Sequence, residues 1–109
     1  MCKEETLIPK DGDRLFCVKV GKVQRENLYE MSRKYWKAKL ERAEKATHLL
    51  AISKGIVIAV YIPTAWRIVK ERDNRIECDA VEDLHSEYIG KCVDSYYGSS
   101  ANPVKYINC

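Results

Sequence analysis

Glycine and proline are scarce, five and three among 109 residues, and no internal repeat or low-complexity tract is present, which sets aside linker-like and repetitive architectures. Histidine occurs twice, as His48 and His85, so imidazole chemistry has little to draw on. No run of about 18 apolar residues could cross a membrane as a helix. The opening Met1-Cys2-Lys3-Glu4-Glu5 lacks the apolar stretch of a secretory signal, and a cytoplasmic protein is expected. There is no Cys-x-x-Cys, no histidine at ligand spacing from a cysteine and no phosphate-loop spacing of glycines, so neither a metal nor a cofactor is expected. A strong excess of one charge is missing too. Nineteen basic against sixteen acidic side chains give +3, a balance compatible with nucleic acid that does not by itself argue for it.

What is present is apolar surface. With 46% hydrophobic residues the chain can close one core, read as a flexible tail over 1–13 and a single globular domain over 14–109. The five cysteines, Cys2, Cys17, Cys78, Cys92 and Cys109, are odd in number and widely spread. They read as reduced thiols, with Cys17 and Cys78 acting as small buried hydrophobes in strand-like runs.

Periodicity predicts a first strand over 15–20, ended by Gly21. Asn27 then offers a side-chain cap with Glu30 three residues on, and a helix is predicted over 27–46. Two neighbouring apolar stripes support it, Leu28, Met31, Tyr35, Ala38 and Ala46 in one and Tyr29, Trp36, Leu40 and Ala43 in the other. Strands over 47–53 and 56–62 are joined by a hairpin at Ser53-Lys54-Gly55, and the near-continuous apolar run 56–62 is expected to be the most buried segment. Pro63-Thr64 interrupts it. Further strands follow over 65–70 and 75–81 about an Asp73-Asn74 turn, the second alternating Ile76, Cys78 and Ala80 with Arg75, Glu77 and Asp79. A short helix over 86–97, a loop over 98–103 and a last strand over 104–108 complete an α+β fold: a strongly twisted or partly closed mixed sheet with one long and one short helix.

The predicted long helix also carries the first candidate site. Tyr29, Arg33 and Trp36 fall on one edge, Lys37 is close by, and Lys39 and Arg42 point into the face that should be buried. A cation there must find a partner, reach solvent along its stem, or line a cleft. Such a group could offer cations to phosphates and a flat ring to a base. The plainer account is that the aromatics are core and the cations pair with carboxylates. A second group, Thr64, Trp66 and Arg67, follows Pro63, where a broken strand could expose a recess wall or where Trp66 could plug the core. A third, Tyr88, Gly90, Lys91, Tyr96 and Tyr97 with the loop after them, offers amides and hydroxyls that could cradle an anion, but reads more simply as turn chemistry. Asp79, Glu82, Asp83 and His85 have no recognised hydrolase or metal spacing.

Tyr29, Arg33 and Trp36, the run His48-Leu49-Leu50-Ala51-Ile52, the segment from Gly55 through Pro63-Thr64 to Trp66, Tyr88-x-Gly90-Lys91 and Asn102-Pro103-Val104-x-Tyr106-Ile107-Asn108 together resemble a group of small uncharacterised bacterial proteins. Element order and the placement of aromatics are also similar to the PUA-like superfamily, whose small curved sheets often bind RNA or read a modified base, and a PUA-like barrel is the architecture this similarity implies. The functional expectation is a non-enzymatic module that binds nucleic acid or a nucleotide, with ligand contacts from Tyr29, Arg33, Trp36, Lys37, Lys39, Arg42, Trp66 and Arg67. In it the cations would take phosphate and Tyr29 or Trp66 would stack a base. The alternative is a protein-interaction or inhibitor domain, in which Tyr and Trp anchor an oligomeric or partner interface.

Overall fold

Strand formation follows the apolar runs closely, and the strands assemble into one open, six-stranded mixed sheet of order β2-β5-β4-β3-β1-β6. The computed structural model describes residues 5–20, 29, 32, 34–97 and 104–107. The elements are β1 (Leu15–Lys19), β2 (Lys34–Trp36), a single helical turn α1 (Leu40–Ala43), β3 (His48–Ser53), β4 (Ile56–Val69), β5 (Arg75–Glu82), a second turn α2 (Asp94–Tyr97) and β6 (Val104–Ile107). β1 runs parallel to β3, and the other pairings among these strands are antiparallel.

The central strands bury both faces, which is why they read as continuous apolar runs instead of alternating ones. Leu15, Cys17, Leu50, Ile52, Val57 and Val60 point to one face and are covered by Leu7, Tyr88, Val93 and Tyr97. Phe16, Val18, Leu49, Ala51, Ala59 and Tyr61 point to the other, under Tyr29, Trp36, Leu40 and Ala43. Leu7 belongs to an N-terminal segment that runs beside Cys92: its amide donates to the Cys92 carbonyl at 2.8 Å, and Cys92 donates to the Glu5 carbonyl at 2.7 Å.

The long helix predicted over 27–46 does not form. Residues 34–36 are a strand on β5, with Lys34 opposite Glu77 and Trp36 opposite Ile76, and no helix among the described residues reaches two turns. The reason is tertiary: β5 offers an unpaired edge, and Tyr35-Trp36 is a good strand pair once that edge is available. Of the stripe residues, Tyr29, Trp36, Ala38, Leu40, Ala43 and Ala46 nonetheless cover one sheet face, while Leu28 and Met31 lie outside the described residues. The predicted short helix over 86–97 contracts to Asp94–Tyr97, with Gly90 in a positive-φ turn ahead of it.

The sheet is open, with β2 and β6 at its edges, so the expected partial closure into a barrel is also corrected. The predicted break at Pro63 is absent, because β4 continues to Val69 through a bulge: Pro63 faces Ala80, Ala65 faces Asp79, and Thr64 is the extra residue. Proline is tolerated there because β4 has already passed Tyr61, the last residue paired to β3, leaving β5 as its described neighbour. Nor is 56–62 the most buried run. Leu15–Val18 and Leu49–Ile52 are fully covered, whereas Ile56 and Ile58 are half-buried and Ile62 is exposed.

Both predicted hairpin turns form. Lys54 and Gly55 (φ 53° and 78°) join β3 to β4, and Asp73 and Asn74 (φ 56° and 59°) follow the 3-10 turn Lys70–Arg72 into β5. Cys17 and Cys78 are buried thiols outside any disulfide, as read from their strands. Cys92 departs from the all-reduced expectation, being disulfide-bonded.

Candidate anion-binding site

Most aromatic residues of the expected site are structural. Tyr29 packs on Tyr61 with ring centroids 5.5 Å apart, and its hydroxyl accepts from the Ala80 amide at 3.0 Å. Trp36 lies against the same core and donates from Nε1 to the Ser32 carbonyl at 2.8 Å. Trp66 sits 5.0 Å from Phe16, with its indole nitrogen buried and lacking a hydrogen-bond acceptor. Arg67 is engaged across the hairpin, reaching Asp79 at 3.0 and 3.2 Å and Glu77 at 3.5 Å. Arg33 lies outside the described residues.

Three expected residues do converge. Lys37 and Lys39 on the β2 to α1 connection and Arg42 on α1 line a cavity of about 450 Å³ with Ala38, Val104, Lys105 and Tyr106. All three cations are exposed, so the desolvation problem posed by an unbroken helix is resolved by breaking it. Arg42 places its guanidinium carbon 4.0 Å from the centroid of the Tyr106 ring. Tyr106 meets Phe16 edge-on at 5.0 Å and 88°, and Phe16 continues to Trp66. The cation therefore rests on the end of an aromatic column rooted in the core. Among the described residues every charged side chain in the cavity lining is a cation, a charge balance that favours an anion.

Lys105 and Tyr106 were absent from the sequence-derived candidates. β6 reads locally as a closing strand, and its position beside β1, where it meets 37–42, is a matter of topology. The available signal for Tyr106 was the alternation in Val104–Ile107, which sends Val104 and Tyr106 to the face covered by α1; Lys105, out of phase with them, lines the cavity from the same edge strand.

The remaining candidates are occupied or scattered. The Tyr88 hydroxyl donates to Asp13 at 2.6 Å and accepts from the Lys10 amide at 2.9 Å; burial first, then the bond to Asp13, pushes its ionisation up. Lys91 pairs with Glu5 at 2.6 Å, and this hydrogen bond holds the Glu5 carboxyl below its ordinary range. Asp83 accepts from the His85 amide at 3.1 Å, a local turn bond, and Asp79 is held by Arg67, so these acids and His85 form no common site. A second cavity of about 340 Å³ includes Lys19, Lys54, Gly55, Asp94 and Tyr97, where Lys19 lies 4.4 Å over the Tyr97 ring. Its charge is mixed. No helix among the described residues is long and apolar enough to cross a membrane. No family model, curated protein or solved structure matches the chain.

Proposed function

We propose that this protein is a non-enzymatic binding module for nucleic acid, which it holds by backbone phosphates in the cleft of Lys37, Lys39, Arg42 and Lys105. The observation behind this reading is the assembly of four cations from three segments around one cavity, with no carboxylate among the described residues of its lining. Phosphate contacts of this kind fix position and supply affinity that falls with salt. The interaction-domain reading has its own support in the exposed cross-strand pair Ile62 and Val81, with Ile68 and Leu84 also exposed. A cytoplasmic address was expected from the sequence, but the Cys92 disulfide argues against strongly reducing surroundings.

The test is a binding screen with fluorescent single- and double-stranded RNA and DNA at low and physiological salt, on wild type and Lys37→Ala/Arg42→Ala. Binding that weakens in the double variant while its melting temperature holds supports the proposal. No binding to any nucleic acid at low salt retires it in favour of the interaction domain.

A further inference from the structure

Resting on that reading, we infer that the cleft recognises the sugar-phosphate backbone alone and is blind to bases, with Tyr106 acting as a positioning residue for Arg42 instead of a stacking platform. Base stacking needs an aromatic face open to the ligand. Among the described residues the cavity lining contains one aromatic, Tyr106. The Arg42 guanidinium already covers a face of its ring at 4.0 Å, its edge-to-face contact with Phe16 fixes its tilt, and its hydroxyl is buried. Tyr29, Trp36 and Trp66 are committed to the core. A base entering the cleft would therefore have to displace Arg42, removing one of the cations that draw the ligand in.

The stack serves Arg42 in a definite way. A guanidinium held over a ring face still directs N–H donors away from the ring, where they can meet a phosphate. Lys37, Lys39 and Lys105 supply charge without directional constraint, and Arg42, held by Tyr106, supplies geometry.

The decisive probe is a fully abasic oligodeoxynucleotide, a deoxyribose-phosphate chain without bases, compared with oligo(dT) and oligo(dA) of equal length. Affinities within about threefold of one another are expected, whereas a stacking site would lose roughly tenfold or more on the abasic strand. Tyr106→Phe, which keeps the ring, should bind like wild type. Tyr106→Leu should weaken binding by about three- to fivefold and leave the salt slope unchanged, because Arg42 keeps its charge.

In an Arg42→Ala background Tyr106→Leu should have no further effect on affinity. A general structural role for Tyr106 would add its loss in both backgrounds, and that result overturns the positioning role even if Tyr106→Leu lowers the melting temperature. Binding to oligo(dT) but not to the abasic strand overturns base blindness and leaves the proposed function standing. Failure of all three strands to bind overturns the proposed function itself.

Discussion

Phe16 joins the aromatic column to the sheet. It is fully buried on β1 and touches both Trp66 and Tyr106 at 5.0 Å. Phe16→Ala should cost about 3 to 5 kcal/mol in chemical denaturation, the usual loss for a buried ring; Arg67→Ala, removing an exposed cross-strand pair, should cost no more than about 1 kcal/mol. Tyrosine ionisation gives an independent check on burial. Burial first, then the charge of Glu82, pushes Tyr61 up to about 12, a hydrogen bond with Ser32 partly offsetting them, and Tyr97 is raised further, mainly by burial. A folded-state value above the unfolded one stabilises the protein below the unfolded value, ordinarily near 10, and that contribution is lost as pH rises towards and through the folded one. Stability should thus decline above about pH 10, while a spectrophotometric titration shows part of the tyrosine absorbance change delayed beyond the ordinary value near 10, as the burial of Tyr61 and Tyr97 requires. Ordinary titration of all the tyrosines with no loss of stability would contradict these burials.

At the scale of elements, strands were legible and the helix was not. The apolar runs of β1, β3 and β4 and the alternation of β5 are local signals, and so are the Lys54-Gly55 and Asp73-Asn74 turns. The segment 27–46 carried stripes of helical period, but Trp36 satisfies a strand on β5 equally well, and the choice rests on an edge that lies forty residues away in sequence. Pro63 misled in the same fashion, since whether proline ends a strand depends on which neighbour the strand has at that point. Gly55 and Gly12 offer a matched test of backbone accounting. Both have positive φ, 78° and 83°, but a Cβ on Gly55 would fall on the Asp94 carboxylate, while one on Gly12 meets open space. Gly12→Ala should cost about 1 kcal/mol through conformation alone, and Gly55→Ala distinctly more, because Asp94 must move as well. Equal midpoints in urea would contradict the packing of Asp94 against the β3–β4 turn.

Across the whole molecule, topology decides where the chemistry sits. Lys37, Lys39 and Arg42 could be singled out from sequence because cations on an apolar stripe demand an explanation, and the structure supplies one by exposing them at a cleft. Lys105 and Tyr106 could not, since nothing local to β6 tells that it borders β1 and completes that cleft. The aromatics chosen with the cations pack away from that cleft for a related reason: Tyr29, Trp36 and Trp66 have the composition of a stacking platform, but here they lie against a buried sheet face, the plainer of the two accounts open to the sequence. The central claim is that the cleft holds phosphates, and its most direct measurement is the dependence of single-stranded nucleic-acid affinity on salt. Wild type should give a log–log slope of roughly −2 to −3, as expected for three to four phosphate contacts at about −0.7 each. Lys37→Ala, Lys39→Ala, Arg42→Ala and Lys105→Ala should each make that slope shallower by about one contact while the fold is retained. A slope unchanged in all four variants would place the phosphates elsewhere on the molecule and contradict the account.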